Sequence, residues 1–283
     1  MSLLSIIEDC RLNILRTERV SGGDINSAYC LHEENRKYFL KINFASPYKD
    51  MFRKETVGLE KLRDNFLLHV PKVIKTGTVN NKQYLLLEWI EGGTPAKYFR
   101  EEFGAALAGM HKKEQSFFGF EENNFIGSLV QINNKTDSWD KFYCECRILP
   151  LAKQLYLSGS FSKEDIALTE KFCNKLQNLF PEEKPALLHG DLWSGNFMCA
   201  SNGQACIFDP ATYYGHREMD LGMTKLFGGF DKKFYEAYHS AYPLEKNWEE
   251  RLPLTQLYPL LVHAVLFGGG YVGSVRNNMK NYI

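Results

Sequence analysis

The segment from Asn196 to Asp209 constrains this chain more than any other. Phe197-Met198-Cys199-Ala200 reads as a short strand, Ser201-Asn202-Gly203 as a turn, and Gln204 to Phe208 as the return strand. Asn-Gly supplies the positive φ that tight hairpins want. A hairpin sets the residue before its first strand beside the residue after its second, so Asn196 and Asp209 are expected side by side at the open end. One offers an amide oxygen, the other a carboxylate. Both are hard oxygen ligands suited to Mg²⁺, which is held by one or two protein oxygens together with substrate phosphates. Asp191 lies five residues before Asn196, on the loop entering the hairpin. It is a second carboxylate near the cation without having to ligate it.

The chain around this hairpin divides by pattern. Tyr38 to Ile42 and Gln83 to Leu87 are short apolar runs rich in aromatic or branched side chains, as in strands. Between them Phe52, Glu55, Leu59, Leu62 and Phe66 step by three or four, which predicts a helix. From about Glu101 onward the signals turn helical, with a stripe through Phe103, Leu107, Met110 and His111. Ser162 is placed to cap a helix through Ile166, Phe172, Leu176 and Leu179, with Pro181 beyond its stop. Glu91-Gly92-Gly93-Thr94-Pro95 has linker composition. A β-rich lobe over residues 1–90 and a mainly helical lobe over 91–283 are expected, with a ligand cleft between them.

Composition excludes several classes. Lys plus Arg total 34 and Asp plus Glu total 34, so no bulk field draws the chain to nucleic acid or an anionic membrane. No run approaches the roughly 18 uncharged apolar residues of a membrane helix. Glu8 and Asp9 come too early in MSLLSIIEDC for a signal peptide. The 7 cysteines contain no C-x-x-C pair, which speaks against a zinc site or redox dithiol and for reduced thiols. A soluble cytoplasmic protein is expected. The 20 Phe, 15 Tyr and 4 Trp suit a filled core or a cleft that stacks on rings and sugars.

His189-Gly190-Asp191-Leu192-Trp193-Ser194-Gly195-Asn196 resembles the catalytic loop of protein-kinase-like phosphotransferases, whose pattern is H-x-D-x-x-x-x-N. Asp209-Pro210-Ala211 is similar to their metal-binding triplet, eighteen residues after Asp191 as in that pattern. The longer block through FDPATYYGHREMDLGMTKLFGGF is more particular, and resembles the fructosamine kinase (ketosamine-3-kinase) family within the aminoglycoside-phosphotransferase-like group. The resemblance runs from Gly22-Gly23 to Phe267-Gly268-Gly269-Gly270-Tyr271. It implies an α+β, protein-kinase-like fold of two lobes that binds ATP and Mg²⁺.

Each further residue has a bland reading and a functional one. A lysine ending a strand is ordinarily a solvated edge residue. Glu55, however, interrupts an apolar stripe, and a carboxylate facing a core wants a cation; Lys41 is the nearest candidate upstream. The pair then matches the lysine and glutamate that hold the α- and β-phosphates in kinase-like folds. Ser21 to Asn26 is a plain turn by composition. The resemblance makes it a phosphate loop, with backbone N–H groups of Gly22, Gly23, Asp24, Ile25 and Asn26 toward the phosphates. Glu88 and Ile90 end a strand; the resemblance has their peptide groups bond adenine. The same resemblance assigns Asp191 as the group that accepts or orients the acceptor's proton, and places Trp193 by the sugar. It leaves His189 as packing beneath the loop. Asp220 is expected to brace the loop by accepting backbone N–H groups. His216, Arg217 and His263 are expected to approach the acceptor, against the alternative of core positions.

The resemblance implies a kinase that phosphorylates the O3 hydroxyl of ketosamines of fructosamine or ribulosamine type, free or on protein lysines, leading to deglycation. Three alternatives stay open at this point. One is another kinase of the fold, acting on an aminoglycoside or choline. Another is a non-catalytic nucleotide-binding protein. The last is a metal hydrolase built from His189, Asp191, Asp209 and Asp220.

Overall fold

The computed structural model describes residues 2–20, 26–64 and 67–283. In chain order it begins with α1 (Ser2–Cys10), β1 (Arg16–Val20), β2 (Ser27–His32), β3 (Lys37–Phe44), α2 (Met51–Arg63), β4 (Val73–Val79) and β5 (Lys82–Glu88). Then come α3 (Phe99–His111), β6 (Asn124–Ile126), β7 (Leu129–Gln131), α4 (Trp139–Phe142), α5 (Leu149–Leu157) and α6 (Lys163–Lys175). The remainder is β8 (Ala186–Leu188), β9 (Phe197–Cys199), β10 (Ala205–Ile207), β11 (Tyr213–Gly215), α7 (Glu218–Leu226), α8 (Lys232–Ala241), α9 (Leu252–Phe267) and α10 (Gly270–Lys280). By their internal contacts these elements form two compact units. One is Met1–Phe99 with Phe197–Pro210; the other is Arg100–Asn196 with Ala211–Ile283. The β9–β10 hairpin thus groups with the first unit. Among the described residues no helix is long and apolar enough to cross a membrane.

In the first unit an antiparallel sheet runs in the order β1-β2-β3-β5-β4. Successive side chains of a strand point to opposite faces, and β3 uses both. Tyr38, Leu40 and Ile42 join Leu31, Tyr84 and Leu86 in a buried cluster with Ile6 and Ile7 of α1. Lys41 and Asn43, out of phase with them, are buried on the other face. The sequence pattern alone marks no helix at α1. Nine residues do not hold a helix in water, but burying Ile6 and Ile7 against the sheet returns about 1.5–3 kcal/mol each. The stripe that predicted α2 buries Phe52, Leu59 and Leu62; Phe66 lies outside the described residues.

The second unit is helical around short two-stranded ladders. Ser162 does cap α6: its Oγ accepts the Asp165 N–H at 3.3 Å, and Asp165 Oδ2 accepts the Ser162 N–H at 2.8 Å. The α-helix ends at Lys175 and tightens to a 3₁₀ turn, Leu176–Asn178, before Pro181. Antiparallel pairing of β8 with β11 (Leu188↔Tyr213, Ala186↔Gly215) carries the chain directly into His189.

Candidate active site

Within the first unit, strand alternation and helix periodicity bring Lys41 and Glu55 together. Lys41 Nζ donates to Glu55 Oε1 at 2.8 Å and also bonds Asp209 Oδ1. Lys41 and Glu55 side chains are 5 % and 12 % exposed, whereas Asp209 keeps 44 %, so the ion cluster is open to solvent on the Asp209 side. Burial alone would pull the Lys41 ammonium down; the Asp209 and Glu55 carboxylates more than offset it and hold the group above the ordinary lysine range. Burial also pushes the Glu55 carboxyl up, with Lys41 pulling against it. Asp209 has φ 56°, in the left-handed region that a non-glycine residue enters at a cost of about 1 kcal/mol.

The hairpin that leads to Asp209 is present, with register Phe197↔Ile207, Met198↔Cys206 and Cys199↔Ala205. Its turn falls at Ser201 to Gly203 as the sequence reading has it, with the positive φ on Gly203 and not on Asn202. Ala200 N–H donates to Gln204 O at 2.9 Å and Gly203 N–H to Ala200 O at 2.8 Å, a three-residue loop in which only Gly203 takes positive φ, 81°. Asn202 instead accepts the Gln204 N–H on its Oδ1 at 3.0 Å. Counting past the ladder from Ile207 reaches Phe208 before Asp209, so the acid is one residue further out than a simple pairing with Asn196 required.

In the same unit Glu88 ends β5, its carboxylate accepting the Lys72 N–H at 2.9 Å, and Ile90 follows half-buried. Asn26 precedes β2, its Oδ1 accepting from Asn43 Nδ2 at 2.9 Å. Gly22, Gly23, Asp24 and Ile25 lie outside the described residues.

Within the second unit the loop from His189 to Asn196 is held at both ends. Asp220, buried at the start of α7, accepts the His189 N–H at 2.8 Å and the Gly190 N–H at 2.9 Å. Burial would push its carboxyl up, but the hydrogen bond from His111 (Nε2 at 3.2 Å) and the charge and N–H groups around it hold it below the usual carboxylate range. His111 Nδ1 lies 2.7 Å from Tyr238 Oη in the same hydrogen-bond chain. Gly190 has φ 85°, and a Cβ there would run into the Ala211 carbonyl. At the far end Asn196 Nδ2 donates to Asp191 O at 2.8 Å and to Asp191 Oδ2 at 3.0 Å. This fixes the Asp191 carboxylate and turns Asn196 Oδ1, an oxygen that could ligate a cation, away from that pair. His189 is buried, its Nδ1 facing the Asp191 N–H at 3.3 Å.

The remaining expectations fare differently. Trp193 is 38 % exposed and meets Phe227 edge-on at 6.1 Å. His263 is half-buried, with Nδ1 2.8 Å from Pro259 O. His216 has no solvent-facing surface with which to meet an acceptor: it is 0 % exposed, between Phe180 and Trp139, with Nε2 3.6 Å from Glu183. Burial also pulls its pKa down and keeps it neutral. Arg217 is likewise a core residue, its Nε and Nη2 donating to Glu183 at 2.8–3.0 Å. Among the described residues no group of three or more His, Cys, Asp or Glu is arranged to hold a metal ion.

Sequence reasoning missed a buried amide network beneath the stretch after Asp209. Gln131 Nε2 donates to Ala211 O at 2.9 Å and to Asn124 Oδ1 at 2.8 Å, and Asn124 Nδ2 donates to Thr212 O at 2.8 Å. Arg147, fully buried, donates to Asn133 Oδ1 at 2.9 Å and lies over the Tyr213 ring at 4.1 Å. No periodicity marks these residues, because their partners lie up to 88 positions away.

The fructosamine kinase family model matches residues 2–283. A probable ketoamine kinase of Enterococcus faecium is 37 % identical over 287 residues, spanning 100 % of both chains. The chloroplastic protein-ribulosamine 3-kinase of Arabidopsis thaliana is 37 % identical over 277 residues, covering 95 % of this chain and 83 % of its own. Among solved structures, a putative fructosamine-3-kinase from Thermobifida fusca aligns with a TM-score of 0.87 at 32 % identity, over 98 % of this chain and 96 % of that one.

Proposed function

The chain belongs to the fructosamine kinase family and is an ATP-dependent phosphotransferase of protein-kinase-like fold, and from that premise we propose that it phosphorylates the O3 hydroxyl of ketosamines, the Amadori-type adducts of a sugar with an amine. The observation that carries this reading is the loop from His189 to Asn196: a carboxylate, Asp191, steadied by the Asn196 amide on a backbone that Asp220 clamps. A relative named as a protein-ribulosamine 3-kinase supports the choice of O3 and of a protein-bound amine.

The acceptor oxygen attacks the γ-phosphorus, the bond from that phosphorus to the β–γ bridging oxygen breaks, and ADP leaves. Asp191 takes or orients the hydroxyl proton, which passes to solvent. Lys41, charged beside Asp209 and Glu55, neutralises phosphate oxygens. Glu88 and Ile90 offer peptide groups to adenine. Asn196 Oδ1 and the Asp209 carboxylate, an amide oxygen and an acid, fit Mg²⁺ and would hold it. That ion supplies neutralisation of the phosphate charge. The remaining work is positioning and electrostatics. The 3-phosphate then leaves as inorganic phosphate by elimination, water hydrolyses the carbon–nitrogen bond of the resulting imine, and the amine is freed, so deglycation follows.

An ADP-release screen tests this. Purified protein with MgATP is offered a ribose-derived ketosamine, an aminoglycoside and choline. ADP should form with the ketosamine, and Asp191→Asn should lower that rate about 10²–10⁴-fold while ATP still binds. ADP release with the aminoglycoside or choline alone, or undiminished turnover in the variant, overturns the proposal.

A further inference from the structure

The turn Phe267-Gly268-Gly269-Gly270-Tyr271 between α9 and α10 takes no part in the chemistry above. Gly268 (φ 64°, ψ −139°) and Gly269 (φ 58°, ψ −136°) occupy a region that side chains exclude. A Cβ on either would meet nothing within 4 Å, so glycine is needed for the backbone path and not for room. That path sets two rings against a third: Phe267 and Tyr271 lie 5.5 and 5.1 Å from the His263 ring, centroid to centroid. His263 in turn meets Phe227 at 4.9 Å, and Phe227 meets Trp193 at 6.1 Å. An unbroken aromatic row therefore runs from the loop that carries Asp191 to the α9–α10 turn. Three of its members are exposed, Trp193 at 38 %, Phe227 at 37 % and Phe267 at 58 %. Single exposed rings are ordinary; here half-buried His263 links the exposed pair Trp193 and Phe227 to exposed Phe267, and exposed apolar groups joined in this way are a candidate binding surface.

Resting on the ketosamine reading, we propose that this row binds the amine half of the acceptor and selects amines that carry an apolar or aromatic group. Trp193 stands two residues from Asp191, its N–H bonded to the Asp191 carbonyl at 3.2 Å, so the row begins on the loop that carries the catalytic carboxylate. The nitrogen of a ketosamine is a secondary amine, cationic at neutral pH, and aromatic faces attract such a cation. What the nitrogen carries then lies along Phe227, His263 and Phe267: the methylene stem of a lysine, or the ring of an arylalkyl amine such as benzylamine.

The test compares two ketosamines, one made from ribose and benzylamine and one from ribose and glycine. The unaltered protein should favour the benzylamine adduct in kcat/KM. Phe267→Ala, at an exposed position, should lower that preference about fivefold through KM for the benzylamine adduct. Gly269→Ala, which redirects the turn and keeps the ring, should act in the same direction. Calorimetric titration of the benzylamine adduct reads the row independently of turnover. Turnover with no preference, or a preference untouched in both variants, refutes the row and leaves the kinase reading standing. Binding that depends on Phe267 without any phosphate transfer supports the row and refutes the kinase reading. Neither binding nor turnover refutes both.

Discussion

Replacing Asp220 by Asn changes one oxygen to an NH₂ and removes one charge from a site that is 1 % exposed. The native carboxylate accepts three donors: the His189 N–H at 2.8 Å, the Gly190 N–H at 2.9 Å and His111 Nε2 at 3.2 Å. An amide accepts on one oxygen only, so its NH₂ must face a backbone N–H or the imidazole, donor against donor. A hydrogen bond to a charged group is worth about 1.5–3 kcal/mol, and a stranded buried donor costs about 1–3 kcal/mol more. The variant should therefore lose about 3 kcal/mol. Per-residue unfolding entropies put that at about 5 °C in Tm for a chain of this length. The released N–H groups belong to the peptides just before Asp191, and a displacement of about 1 Å there should cost about a hundredfold in kcat. The folded Asp220 carboxyl titrates below its unfolded value. Its stabilisation is fully present above the ordinary carboxylate range and is lost as pH falls through the lower folded value. Below about pH 4 the unaltered protein should thus lose stability faster than the variant. Circular dichroism melts from pH 3 to 7 and ADP release on the same samples give both readouts. Equal melting temperatures at neutral pH, or full kcat in the variant, would refute the clamp.

Other substitutions address other parts of the site. Glu55→Gln leaves Lys41 with Asp209 as its charged partner and should lower kcat/KM for ATP about tenfold, about 1.4 kcal/mol; unchanged ATP kinetics would remove Glu55 from the assignment. Gly190→Ala places a side chain at φ 85° against the Ala211 carbonyl, and should cost about 2 kcal/mol or more. A thermal melt coinciding with that of the unaltered protein would show that the backbone relaxes freely there.

Local rules carried part of this site. Lys41 was legible because a strand-period run ends on it, and Glu55 because it breaks a helical stripe; two periodicities suffice to aim them at each other. Ser162 announced its helix because a capping box is made within four residues. The turn at Ser201 to Gly203 was legible as a turn but not as a type. Only the strand register decides whether one or two residues take positive φ. His216 and Arg217 stand in the family-like block beside real loop residues, and nothing local distinguishes them. Their burial is decided by Glu183, 34 residues before Arg217.

Local sequence patterns specify the kinds of group available and their order along the chain: the Asp191–Asn196 loop, the hairpin that ends near Asp209, and the Lys41–Glu55 pair. Each depends on neighbours within one element or on the repeat of a strand or helix. Tertiary structure alone decided that α1 would form, that His111, Tyr238 and Asp220 would stack into a clamp, and that five rings would line up from Trp193 to Tyr271. Those arrangements are held by burial and hydrogen bonds between residues tens of positions apart. Such energy exists only once the chain has closed on itself.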